Sequence, residues 1–126
     1  MPVSQQPITL GRLKKRAEFL RVRGGRSWRA GSLVLQARKR TQTDELDRVA
    51  RFGFTATKRL GNAVIRNRAR RRLKETVRIA AGNLARPGYD YVIIARDGAL
   101  KRPFSDLEKD LSAAFERVHK GTSARA

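Results

Sequence analysis

Nine cations and a single acid lie between Lys58 and Arg78, the most chemically pointed stretch of this 126-residue chain. It reads Lys58-Arg59-Leu60-Gly61-Asn62-Ala63-Val64-Ile65-Arg66-Asn67-Arg68-Ala69-Arg70-Arg71-Arg72-Leu73-Lys74-Glu75, and seven cations fall within the 13 residues from Arg66 to Arg78. A charged helix surface kept only for solvation mixes signs into i,i+4 pairs, whereas here Glu75 stands alone. Arginine predominates in the whole chain, 22 residues against 8 lysines. Its planar fork grips phosphate oxygens and stacks on rings, which a lysine ammonium cannot match. A helix opening at Gly61-Asn62 adds free N–H groups and a positive dipole end to the same surface. The chemistry implied is phosphate recognition, with Lys58, Arg59, Arg66, Arg68, Arg70 and Arg71 as the contacts.

The rest of the composition narrows the partner. Thirty Lys+Arg against eleven Asp+Glu leave a net charge of +19, held mainly in residues 1–43 and 58–78. Such self-repulsion on a small domain is relieved by a polyanion, and nucleic acid fits best. A membrane surface would call for a broad apolar face beside the basic one or a lipidation signal, and the termini carry no such signal. With no Cys, thiol catalysis, disulfides and cysteine zinc sites drop out. His119 is the only histidine, too few for a histidine metal centre and poorly placed, near the C-terminus, for acid–base work. A metal-dependent protein nuclease needs clustered carboxylates. The densest acidic group here, Asp44-Glu45 with Asp47, reads as a solvated loop. The expectation is therefore no catalytic residue, no metal ligand and no cofactor bound by the protein alone. The longest apolar runs, such as Val92-Ile93-Ile94-Ala95, fall far short of the ~20 residues that span a bilayer. Met1 to Pro7 has no apolar segment of the secretory type, so a cytoplasmic location is expected.

Periodicity then supplies the elements. Residues 1–9 read as a flexible arm, residues 10–119 as one domain and residues 120–126 as a frayed tail. Leu13, Ala17 and Leu20 recur at helical spacing, which predicts a helix from Leu10 to Arg23, stopped by Gly24-Gly25, with those three facing the core. Ser32 to Ala37 and Val49 to Thr57 are strands, the second alternating Ala50, Phe52, Phe54 and Ala56 with polar or small neighbours. Thr41 to Asp47 has the composition of a hairpin loop between them. Asn62 caps a helix running to about Ala81. Its docking stripe is Ile65, Ala69, Leu73, Thr76 and Ala80, and Asn67, Arg71, Lys74 and Arg78 lie opposite. Tyr89 to Arg96 is a central strand followed by a turn at Asp97-Gly98. A last helix starts at Ser105 with Glu108 completing a capping box, buries Phe104, Leu107, Leu111, Phe115 and Val118, and turns Asp106, Asp110 and Glu116 to water. The order α-β-β-α-β-α makes one α+β domain, a small mixed sheet with helices packed on it.

At Lys58 to Val64 and Arg66-Asn67-Arg68 the sequence resembles the bacterial ribonuclease P protein subunit, whose family carries an Arg-Asn-Arg motif on a long helix. Leu13-Lys14-Lys15 with Phe19 and Val22, and Phe52-Gly53-Phe54 before Lys58, extend the resemblance over most of the chain. It implies an α/β sandwich with a left-handed β-α-β crossover. It also implies a partnership with the catalytic RNA of ribonuclease P, in one-to-one proportion and without an obligate protein partner, through Lys58, Arg59, Asn62, Arg66, Asn67, Arg68, Arg70, Arg71 and Lys74. In such an enzyme the RNA cleaves precursor tRNA with Mg2+ that the RNA holds, and the protein assists.

The same resemblance implies a groove for the 5′ leader of precursor tRNA between the first helix and the sheet, at Arg16, Phe19, Arg23, Gln36 and Phe54. Arg23 and Gln36 stand where many family members have aromatics, which shifts base stacking toward guanidinium groups. Phe19 reads equally as core anchor or leader contact, and Trp28 as local packing. Two rival functions share the composition: a ribosomal or nucleoid-associated binding protein, which lacks the ordered Lys58–Glu75 motif, and a self-sufficient endoribonuclease, which needs metal ligands.

Overall fold

The computed structural model describes residues 9–40 and 49–120. Along the chain run β1 (Thr9–Arg12), α1 (Arg16–Arg23), β2 (Arg26–Arg29), β3 (Leu33–Lys39), β4 (Val49–Ala56), α2 (Ala63–Ala80), β5 (Tyr89–Ala95), α3 (Gly98–Lys101) and α4 (Phe104–His119). The strands form one mixed sheet in the order β1-β4-β5-β3-β2. The apolar run of β5 is central, as its lack of alternation requires. It lies parallel to β4, with Phe52 opposite Tyr91, and antiparallel to β3, with Gln36 opposite Val92. Helix α2 is thus the crossover between the parallel neighbours β4 and β5. The α+β sandwich expected from the sequence is present, with two further strands on its edges.

Helices α2 and α4 cover one face of the sheet, where Leu35, Phe52, Leu73, Tyr91, Ile93, Leu111 and Phe115 make the main core. The rings of Phe52 and Tyr91 stack with centroids 5.0 Å apart, and Phe115 meets Tyr91 edge-on at 4.9 Å. The opposite face carries only α1, through Val22 against Leu13 and Val92 with Phe19 and Ile94 at the margin. Eight helical residues span roughly 12 Å, too short to cover strands of seven and eight residues. The uncovered remainder of that face is a groove.

Several expectations change. The helix predicted from Leu10 begins only at Arg16, because Thr9–Arg12 pairs with β4 as a parallel edge strand. Glu18 fixes the new start by accepting the Lys14 and Lys15 N–H groups at 2.8 and 3.0 Å. Those bonds, with Arg51 nearby, hold the Glu18 carboxyl below its ordinary pKa. Ala17 and Leu20 face solvent, Leu20 at 45% exposure, while Val22 is fully buried in their place. Strands β3 and β4 do not form a hairpin, since β5 lies between them. The loop assigned to Thr41–Asp47, the arm before Thr9 and the tail after Lys120 lie outside the described residues; Thr9, placed in the arm, begins β1.

At the C-terminal side, Gly98 opens the short helix α3 rather than a simple turn. Helix α4 starts at Phe104 after Pro103, which puts Ser105 inside it, so the capping box with Glu108 does not form. Asp110 does not simply face water. It accepts the Ser32 N–H at 3.0 Å and the Ser32 hydroxyl at 2.8 Å, tying α4 to the start of β3.

Two buried polar groups show what the tertiary fold assembles. Asp90, fully buried in β5, receives Arg21 at 2.6 Å, Arg40 at 2.5 Å and Arg51 at 2.8 Å. Burial would raise its pKa, but the hydrogen bonds from Arg51 and Arg40 outweigh it and keep the carboxyl below the usual value. Three arginines of the basic N-terminal half are thereby committed to structure. His119 is buried as well, 2.8 Å from the Tyr91 hydroxyl, which itself accepts the Arg86 N–H at 2.8 Å. The hydroxyl proton is then free for a neutral imidazole Nε2, and burial pushes the His119 pKa down to about 4. Among the described residues no helix is long and apolar enough to cross a membrane.

Candidate nucleic-acid interface

The basic block takes its shape from a turn only glycine fits. After a short 3-10 turn at Lys58–Leu60, Gly61 adopts φ +154°, and a Cβ there would lie 2.9 Å from the Ile65 side chain. Asn62 then caps α2, its Oδ1 accepting the Ile65 N–H at 3.0 Å. The opposite side of the helix docks through Ala69, Leu73, Thr76 and Val77, all buried. Val77 lies outside the predicted stripe, Ala80 is half-buried, and Ile65 is 36% exposed beside Gly61. Docking fixes the orientation of the face that remains. Lys58, Arg59, Asn62, Asn67, Arg68, Arg71 and Lys74 are exposed there, with Arg66 and Arg70 half-buried beside them.

What matters electrostatically is where the acids went. The ion pairs among the described residues engage Arg21, Arg40, Arg51, Arg78 and Arg102. Within the block only Arg78 meets a carboxylate, that of Glu75 at 2.6 Å, and this bond keeps Glu75 below its ordinary pKa. Lys58, Arg59, Arg66, Arg68, Arg70, Arg71 and Lys74 thus form a positive surface with no internal counter-charge among the described residues. Asn67 accepts a hydrogen bond from Arg70, which holds that guanidinium beside the helix. Arg72, which the sequence did not single out, donates to the carbonyls of Ala99 at 2.7 Å and Arg102 at 2.6 Å and clamps α2 to α3.

On the other face of the sheet, Arg16, Phe19, Arg23 and Gln36 line one open groove of about 520 Å³, which Phe54 only borders from β4, since alternation turns its ring to the α2 side against Phe52. Val92 and Ile94 of β5 and Thr55 of β4 also line it. Phe19 lays its ring on Gly53, where a Cβ would approach to 2.4 Å, and its side chain also borders the groove. Strand β1 pairs with β4 only as far as Phe52, so the strand edge beyond it is open. There a second pocket, sharing Phe19 and Phe54 with the groove, leads round to Lys74 and Arg78 of α2. Arg59, exposed beside Lys58 at the start of the basic block, also lines a pocket of about 530 Å³ with Arg29, Arg96 and Asp97. Trp28 sits on edge strand β2, its ring under the Arg117 guanidinium at 4.8 Å.

Among the described residues no three His, Cys, Asp or Glu side chains come together to hold a metal ion. Asp90, the most buried carboxylate, is saturated by arginines. The described residues do not fit a resident Mg2+; the acidic group Asp44-Glu45 with Asp47 lies outside them.

A family model described as Ribonuclease P matches residues 9–119, the whole described fold but its last residue. The chain belongs to the ribonuclease P protein family. Relatives named "Ribonuclease P protein component" include that of Brucella suis, 50% identical over 105 residues, covering 80% of this chain and 74% of the relative. That of Paramagnetospirillum magneticum is 51% identical over 110 residues, covering 86% and 83%. Among solved structures, the RNase P protein from Thermotoga maritima superposes with a TM-score of 0.68 at 26% identity, covering 85% of this chain and 96% of that one. The Staphylococcus aureus RNase P protein gives 0.66 at 26% identity, covering 84% and 93%. The family match separates this chain from the ribosomal and nucleoid proteins that share its composition.

Proposed function

We propose that this protein binds the catalytic RNA of ribonuclease P through the exposed face of α2 and holds the 5′ leader of precursor tRNA in the groove beneath α1, assisting removal of that leader. The observation that carries the reading is the absence of counter-charge, among the described residues, on Lys58 and Arg59 of the turn before α2 and on Arg66, Arg68, Arg70, Arg71 and Lys74 of a helix locked in place by its other side. RNA phosphates supply what the protein withholds. Asn62 and Asn67 act within that surface, one by starting the helix and the other by orienting Arg70.

In the groove, Phe19 offers ring surface while Arg16 and Arg23 supply charge and planar stacking from the helix above, and Phe54 borders it from β4 with its ring turned toward Phe52. Gln36 offers an amide to base edges in place of an aromatic. In this reading cleavage belongs to the RNA and the Mg2+ it holds, and the protein contributes affinity and position. One protein per RNA, acting in the cytoplasm, completes the proposal.

The test is cleavage of precursor tRNA at low Mg2+ by the protein alone, by a cognate ribonuclease P RNA alone, and by both. Activity only with RNA present, raised by the protein, is the expected result. Cleavage by the protein alone would establish a protein nuclease instead. No gain on mixing would remove the ribonuclease P role.

A further inference from the structure

Phe104 belongs by pattern to the buried stripe of α4, yet it is 40% exposed while Leu107, Leu111, Phe115 and Val118 are buried. Its surroundings are ordered. The Arg72 guanidinium lies 4.6 Å from the ring centroid and is itself fixed by the carbonyls of Ala99 and Arg102. The ring borders an open pocket of about 420 Å³ between α2 and α4, with Arg71, Lys74 and Arg78 around it. Arg71 and Lys74 are exposed and have no carboxylate partner among the described residues. The one acid of the pocket, Glu75, is already engaged by Arg78 at 2.6 and 3.0 Å. An aromatic ring backed by an immobilised cation, and rimmed by cations without carboxylate partners, matches a flat ring that carries a phosphate.

We infer that Phe104, braced by Arg72, is a stacking platform for one unpaired base of the bound RNA, with the adjoining phosphate on Arg71 or Lys74. The inference rests on the reading of α2 as the RNA-binding helix and adds a base contact to a surface otherwise built for phosphates. Stacking is tolerant of base identity, so the platform adds affinity and register rather than sequence choice.

Binding of the full chain to the cognate catalytic RNA is compared for the wild type, Phe104→Leu and Phe104→Tyr, with thermal melts of each. Leucine keeps apolar bulk beside Arg72 but has no π face; tyrosine keeps the face. The leucine variant should bind roughly 5- to 100-fold more weakly with an unchanged salt slope, and the tyrosine variant should stay near wild type. Phe104→Trp in a Trp28→Phe background gives a second readout, since stacking should quench the introduced indole when RNA is added. Wild-type affinity in Phe104→Leu, or a weakening accompanied by a shallower salt slope, overturns the platform. The same variants measured on a short oligouridylate keep the two proposals apart. If the wild type ignores the catalytic RNA, the ribonuclease P reading fails, and the Phe-to-Leu difference on oligouridylate still decides the platform.

Discussion

The Lys74 ammonium lies 6.0 Å from the centre of the Phe54 ring. Both lie on the α2 side of β4, where the Phe54 ring stacks on Phe52, and the pocket they line at the open strand edge also reaches Phe19 of the groove beneath α1, so Lys74 stands where the two surfaces meet. Joining them has a measurable consequence. Lys74→Gln should weaken both assembly with the catalytic RNA and the preference for leader-bearing precursor tRNA. Arg71→Gln, one helical turn away and outside both groove pockets, should weaken assembly alone. Equal effects of the two variants in both assays would show that the contact does not link the surfaces.

Replacing Arg66 and Arg68 together with Ala should reduce affinity for the catalytic RNA by about 1–3 kcal/mol for each charge-assisted hydrogen bond to phosphate that disappears. The fold should survive, because the buried stripe is elsewhere and Ala favours helix. With six phosphates held by Lys58, Arg59, Arg66, Arg68, Arg70 and Arg71, the wild-type log–log salt slope should fall at about −4 to −6, and the double variant's should be shallower by about two phosphates' share. A wild-type slope near about −1 contradicts the footprint. Unfolding of the variant at unchanged affinity per folded molecule would make both residues structural.

Arg16 and Arg23 flank Phe19 on α1, and all three line the groove. Arg16→Ala with Arg23→Ala should weaken binding of leader-bearing precursor tRNA to the assembled enzyme. Mature tRNA, which lacks the leader, should bind as before, and so should the catalytic RNA. Parallel losses for precursor and mature tRNA would show that this face grips another part of the substrate.

The buried His119 sets an acid limit on stability. Its pKa falls from an ordinary 6.5 to about 4 in the folded protein, so the unfolded chain takes up a proton first as pH drops. The contribution is complete above pH 6.5 and is lost between there and about pH 4, a change of about 3 kcal/mol. His119→Gln keeps an acceptor for the Tyr91 hydroxyl and cannot titrate. Chemical denaturation across that range should show a falling stability for the wild type and a flat one for the variant. Asp90, Glu18 and Glu75, whose carboxyls titrate below their ordinary values, make their losses in the carboxylate range at the bottom of this window, so the two proteins are compared above about pH 5.

Local signals determined much of this protein from the sequence alone. Alternation marked β4, an apolar segment without strict alternation marked β5, and the Asn62 cap with its stripe marked α2 together with the face it exposes. Each of these is encoded within a few neighbouring residues, as is the motif that carries the family resemblance. The edge strands β1 and β2 were not legible because their conformation comes from a partner strand: Arg26–Arg29 is exposed along its whole length and is a strand only through its ladder with β3. Periodicity likewise could not say that α1 would bury Val22 rather than Leu20, since one short helix on a sheet buries only the side chains directly beneath it. Which cations stay available to RNA was a tertiary decision too. Asp90 collects arginines 39, 50 and 69 positions away in the chain, and that folding event separates structural charge from binding charge. Residue order fixes which groups a segment can offer; only the packed sheet brings distant charges within a few ångströms, where a desolvated carboxylate must be neutralised.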